Sequence, residues 1–236
     1  MWTLYLFRYS NQETIPLDNR ETDSYTIIEQ RTENSEVCKV TSPREKRRAR
    51  TREAILEAAL QIVMQNGVET LSIRTIAEHI DYSPSGLYAY FSSKEEIIDE
   101  LVNEGFVRLT ARLKHGIHGE TALSRLQEAG KTYMQFALQE SQLYLMMFNH
   151  KSLTPSSLTE VEQNTAYAIL VQILQDGLHS GEFHSASGAN AQELAYTSWS
   201  LMHGLSMLRL TLLNQAVEDI NSIHEKAFQA FVEQLK

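Results

Sequence analysis

Small hydroxyls, phenol rings and one glycine crowd into the stretch DYSPSGLYAYFSSKEE, from Asp81 to Glu96. Ser83, Ser85, Tyr88, Tyr90 and Lys94 are groups that bond phosphate oxygens. Upstream, REKRRARTR gathers Arg44, Lys46, Arg47, Arg48, Arg50 and Arg52 on a chain whose formal net charge is −9. A local basic arm on an acidic chain is a candidate phosphate contact, although a charge run alone reads equally as a solvated helix start. Glycine costs about 1 kcal/mol against alanine inside a helix, so Gly86 needs a reason. Either a partner approaches the bare backbone, or a neighbour in the same chain packs on it.

Other chemistries lack their residues. There is no nucleophile motif, no glycine-rich phosphate loop and no His-Glu-x-x-His. Of the eight histidines, His115 and His118 lie three apart with a glycine between them. His203 with a nearby carboxylate is the one acid–base candidate. The expectation is no enzyme, no metal and no cofactor. Cys38 is the single cysteine, so no intrachain disulfide forms, which fits a reducing cytoplasm. No apolar run reaches membrane length. The opening MWTLYLFRYS is interrupted by Arg8 and lacks the marks of a leader. The expected localisation is therefore cytoplasmic.

The elements that must position these residues read as all-α, about nine helices. Residues 1–43 are polar and aperiodic and are expected to be a disordered extension. Ala54, Ile55, Ala58, Ala59, Ile62 and Val63 recur at helical spacing, and Asn66-Gly67 stops that helix. Ser72 caps a second helix carrying Ile73, Ile76, Ala77 and Ile80. After Asp81-Tyr82, Ser83 caps a third with Pro84 at its first position, ending near Tyr90-Phe91. Ser93-Lys94-Glu95-Glu96 reads as a capping box opening a fourth. Further helices are expected over about 94–115, 121–139, 141–150, 155–180, 189–213 and 217–235, with a second capping box at Ser157 and Glu160. The division expected is an extension 1–43, a helix-turn-helix domain 44–93 and a larger helical domain 94–236.

Two helices joined by a tight turn make a helix-turn-helix, whose second helix lies in the major groove of DNA. A bare Gly86 in its first turn lets the backbone approach the duplex. Tyr88 and Tyr90 can reach phosphate or pack internally; Leu87 and Phe91 read as core.

The block TREAILEAALQIVMQNGVETLSIRTIAEHIDYSPSGLYAYFSSKEEII, Thr51 to Ile98, closely resembles the DNA-binding domain of the tetracycline repressor (TetR) family. Asp81 departs from the family's usual turn glycine, but aspartate tolerates left-handed backbone angles. Tyr90 stands where histidine is common. The resemblance implies DNA contacts at Thr51 or Arg52, Ser72, Arg74, Ser83, Ser85, Gly86, Tyr88, Tyr90 and Lys94. Most are phosphate contacts, with Arg74, Ser85 and Gly86 the candidate base readers.

Beyond residue 94, TYMQFALQESQLYLMMFNH is rich in aromatics and methionine, which fill irregular cores and line adaptable pockets. Tyr133, Phe136 and Met147 are taken from it as candidate ligand contacts. Trp199, His203 and Met207 lie four residues apart on one face, and Gly204 permits a close helix approach. Trp-x-x-x-His-Gly resembles the motif of one class of C-terminal ligand-binding domains in the same family. This implies Trp199 and His203 in the wall of a pocket for a small apolar or amphipathic ligand.

Leu201, Leu205, Leu208, Leu212, Ala227, Phe228, Phe231, Val232 and Leu235 offer apolar surface for a homodimer, which the family resemblance also implies. Two copies would read a pseudo-palindromic operator. The function expected is a ligand-released repressor; a regulator worked by a protein partner in a Met-rich groove is the alternative.

Overall fold

The computed structural model describes residues 42–150, 161, 165–185, 187–216 and 219–235. The expected extension, apart from residues 42 and 43, and the Ser157–Glu160 capping box lie outside them. Nine α-helices and no strand occur among the described residues. They are α1 Pro43–Asn66, α2 Ile73–His79, α3 Pro84–Leu87, α4 Lys94–Gly116, α5 Ala122–Gln139, α6 Ser141–Asn149, α7 Thr165–Ser180, α8 Ala191–Thr211 and α9 Ile220–Glu233. None is long and apolar enough to cross a membrane.

The local signals explain the ends. Asn66 closes α1, and Gly67 follows at φ 82° with its N–H on the Val63 carbonyl. Ser72 Oγ accepts from the Thr75 N–H and the Thr75 hydroxyl accepts from Ser72 N, a reciprocal cap. Asp81 stands at φ 52°, the one left-handed non-glycine residue among those described. The expected box at Ser93 is only half formed. Ser93 Oγ accepts from Glu96 N, but the Glu96 carboxylate turns to Ser92 instead, accepting from its N–H at 2.6 Å and its hydroxyl at 2.8 Å.

Two boundaries differ from expectation. The basic run belongs to α1 itself, since Pro43 can occupy a first helical turn. The short third helix ends at Leu87, with a turn carrying the chain through Tyr90 to Phe91.

One apolar core runs through the described residues. Ile55, Ala59 and Val63 of α1 meet Ile76, Leu87 and Phe91 and continue into Ile97 and Leu101 of α4. α6 packs on both α1 and α4; α4, α5, α7 and α8 pack side by side, and α9 crosses α5 and α8. The boundary at residues 93 and 94 falls on the N-cap of α4, inside this continuous core. At Gly105 a Cβ would stand 2.5 Å from Met147 Sδ, so Met147 of α6 packs directly on the bare backbone of α4 there. Gly130 similarly leaves room for the Phe228 ring.

Phe228, Val232 and Leu235 are therefore not spare interface surface: each is buried in this chain's own core. On the neighbouring helix Leu208 and Leu212 remain exposed, as does Ile223 of α9. The expected close approach at Gly204 is not made within the chain, for a Cβ there would meet nothing within 4 Å.

Candidate nucleic-acid interface and interior cavity

Ser83 caps α3 by accepting from Gly86 N at 3.1 Å, and Ser85 Oγ donates to Ser83 Oγ at 3.3 Å. Both serines are exposed, and Tyr88 is 58 % exposed. Leu87, between them, is fully buried and anchors the short helix. The polar rim of α3 thus faces outward while one leucine holds it down.

Gly86 has a reason inside the subunit. A Cβ there would lie 2.6 Å from Tyr82 Cε1 and 2.9 Å from Ser83 Oγ. The Tyr82 ring covers the glycine and meets Tyr90 edge-on, with centroids 6.4 Å apart. Internal packing therefore accounts for the missing side chain without entry of the backbone into a groove.

The basic arm reaches the same rim. Arg48 donates to the Ala89 carbonyl at 2.8 Å and lies over the Tyr90 ring at 5.1 Å, fixing the exposed start of α1 beside the turn after α3. Arg52 turns inward: its guanidinium pairs with Glu100 at 2.6 Å and covers the Phe91 ring at 4.8 Å. It ties α1 to α4, and its placement differs from that of a free phosphate ligand. Arg44, Lys46, Arg47 and Arg50 are exposed. Thr51 donates to the Arg47 carbonyl and is half-buried. Ser72 is occupied by its cap. Arg74 is exposed but held by Glu78 at 2.8 Å, a hydrogen bond that raises the guanidinium pKa. Lys94 is the half-buried first residue of α4.

A cavity of about 490 Å³ opens between α4, α5, α6, α7 and α8. α4 supplies Asn103, Phe106, Leu109 and Leu113 at helical spacing; Met147 and Phe148 come from the end of α6 and His150 from its C-cap. α5 and α8 contribute Tyr133, Ser198 and Trp199, among others, and α7 contributes Tyr167 and Leu170. Of the six expected ligand contacts, Tyr133, Met147 and Trp199 stand in the described wall. Phe136, His203 and Met207 do not. Phe136 is 1 % exposed in the core, and Met207 is half-buried against it.

His203 sits behind the wall. Its Nδ1 lies 2.7 Å from the Tyr144 hydroxyl and 3.3 Å from that of Tyr133. Tyr133 in turn accepts from Trp199 Nε1 at 3.3 Å. Burial pushes the His203 pKa down, keeping the ring neutral, and pushes the Tyr133 hydroxyl up to about 12. Among the described residues no cluster of three His, Cys, Asp or Glu side chains could hold a metal.

Sequence reasoning missed Asn103, Phe106, Phe148, His150, Tyr167 and Ser198 as wall residues. Phe148 was the most accessible, lying in the same aromatic stretch as Tyr133 and Met147. The inner face of α4 could not be divided between core and cavity from spacing alone.

These features coincide with known proteins. Residues 55–101 match bacterial regulatory proteins of the tetR family, and residues 126–233 match a tetracyclin repressor-like C-terminal domain. The latter description does not distinguish the Trp-x-x-x-His-Gly class. The transcriptional regulator UidR of Escherichia coli K12 is 25 % identical over 134 residues, covering 56 % of this chain and 68 % of UidR. The transcriptional repressor KstR of Mycolicibacterium smegmatis is 34 % identical over 76 residues, 32 % of this chain and 37 % of KstR. A Rhodococcus sp. RHA1 protein of unknown function shares the fold at a TM-score of 0.67, with 22 % identity over 78 % of this chain and 94 % of its own. FadR of Bacillus subtilis, solved in complex with stearoyl-CoA, does so at 0.61, with 18 % identity over 78 % and 99 %. The chain belongs to the tetR family of bacterial regulatory proteins.

Proposed function

We propose that this regulator represses transcription by binding a pseudo-palindromic operator as a homodimer, and that an apolar or amphipathic small molecule in the interior cavity releases it. The observation that carries the proposal is the sharing of α4 and α6. α4 begins immediately after the α3 turn and also walls the cavity, while α6 packs on α1 and carries Met147 and Phe148 into the same wall. A ligand that displaces Met147 acts on a side chain that lies directly against α4 at Gly105.

Ser83, Ser85 and Tyr88 would meet the duplex, with Arg44, Lys46, Arg47 and Arg50 adding phosphate contacts from the start of α1. Arg74 joins them only by leaving Glu78. The open side of α8, with Gly204, Leu208 and Leu212, and Ile223 of α9 would meet the second copy across a two-fold axis. The ligand must favour the released arrangement by about 5.5 kcal/mol to move it from one to ninety-nine per cent occupancy. The stearoyl-CoA complex of FadR supports an amphipathic ligand with a long apolar chain.

Protection of the DNA upstream of its own gene by purified protein at low salt tests this reading. A protected two-fold site, lost when cavity ligands are added, is expected. No protected site at any protein concentration would overturn it.

A further inference from the structure

The polar groups behind the cavity form a closed hydrogen-bond chain. Trp199 Nε1 can only donate, and it donates to the Tyr133 oxygen. The Tyr133 and Tyr144 hydroxyls are 3.0 Å apart, and Tyr144 lies 2.7 Å from His203 Nδ1. Burial drives the hydroxyls of both tyrosines upward in pKa, so both keep their protons. A neutral His203 carrying its proton on Nε2 then leaves Nδ1 free to accept from Tyr144. Trp199 donates to Tyr133, Tyr133 to Tyr144, and Tyr144 to Nδ1. With the other tautomer Nδ1 donates to Tyr144, and a chain reversed in this way leaves the Tyr133 proton no partner among these four groups, an orphan donor that costs about 1–3 kcal/mol.

With the proton on Nε2 the indole N–H and both phenol hydroxyls each donate once. What Tyr133 has left to offer the cavity is an oxygen lone pair. The described wall is otherwise largely apolar; its ionisable side chain besides the tyrosines is His150, whose Nε2 lies 3.5 Å from Asp99 Oδ1.

We infer that the Tyr133 oxygen is a hydrogen-bond acceptor for the ligand, and that the ligand is a largely apolar molecule bearing a hydroxyl. His203 is the positioning residue that sets the direction of the chain. This rests on the reading of the cavity as the ligand site. It separates an alcohol from a ketone or a carboxylate of the same length.

Calorimetric titration of the full-length protein with decanol, decanone and decanoate tests the inference. The quantity to follow is the ratio of decanol to decanone affinity, because a merely structural defect weakens both probes together. Tyr133→Phe removes the acceptor and should lower that ratio about fivefold. The second variant is His203→Leu combined with Ser206→Ala. Ser206 is buried without a hydrogen-bond partner, yet close enough to influence Tyr144, and would otherwise replace the lost acceptor. With both removed, Tyr144 turns to Tyr133, Tyr133 is free to donate, and decanone should gain on decanol. An unchanged ratio in both variants, or wild-type binding of decanoate as tight as that of decanol, overturns the inference while leaving the cavity as a ligand site. Failure of all three probes to bind overturns the cavity reading with it.

Discussion

Gly105→Ala probes the contact between cavity and DNA-binding helices most simply. The added Cβ would stand 2.5 Å from Sδ and 2.7 Å from Cγ of Met147, and 3.3 Å from Leu143 Cδ1. All three residues are buried. Alanine gains about 1 kcal/mol of helix propensity over glycine, whereas an extra methyl in a tight core costs about 1–3 kcal/mol. The balance is a loss of about 1 kcal/mol, moderated because Met147 borders the cavity and can swing into it. That corresponds to a fall in Tm of roughly 2–4 °C for a protein of this size. Calorimetry at fixed protein concentration reads it. In a Met147→Ala background the clash is gone, and the same change should instead stabilise by about 1 kcal/mol, a coupling of about 2 kcal/mol between the two sites. Gly105→Ala that stabilises equally in both backgrounds would refute the claim of a tight α4–α6 contact.

Four further outcomes are expected. Tyr88→Ala weakens binding to all DNA sequences alike, while Ser85→Arg changes sequence preference; equal effects on every site for both would remove Ser85 from the base-facing set. Replacing Arg44, Lys46, Arg47 and Arg50 by glutamine lowers the slope of log affinity against log salt by about 0.9 for each phosphate no longer neutralised. Arg52→Ala leaves that slope nearly unchanged but lowers stability by about 1 kcal/mol or less, since the Glu100 pair is partly exposed. Glu96 has its pKa held down by the Ser92 N–H and then the Ser92 hydroxyl. Its contribution to stability is therefore present above the ordinary glutamate range and lost as pH falls through the depressed value. Glu96→Gln should melt below wild type at neutral pH, and the gap should close on acidification; a gap independent of pH would show that the carboxylate charge is not what matters.

Much of the helical order was legible because its signals are local. Asn66-Gly67 and the caps at Ser72 and Ser83 need only their own neighbours, and Asp81 was expected to take the left-handed angles that it adopts. Signals that depend on tertiary partners were less visible. Glu96 chose Ser92 over Ser93, and Arg52 found Glu100 across 48 residues of chain. Phe136 and Phe148 are both aromatic, yet one fills the core and the other the cavity wall, a distinction made by α4 and α7 and not by the segment itself. Spacing put Trp199 and His203 on one face, but only the positions of Tyr133 and Tyr144 place the histidine behind the wall. Phe228 looked available to a partner because Gly130, which receives it, is 98 residues away.

Whether α3 reads DNA as one of a symmetric pair is decided by selecting bound sequences from a random DNA pool with the purified protein. The expected product is an inverted repeat with half-sites one helical turn or a multiple apart, with no enrichment when Ser83, Ser85 and Tyr88 are replaced together by alanine. A selected site without two-fold symmetry, or the same site recovered with the triple variant, would contradict it.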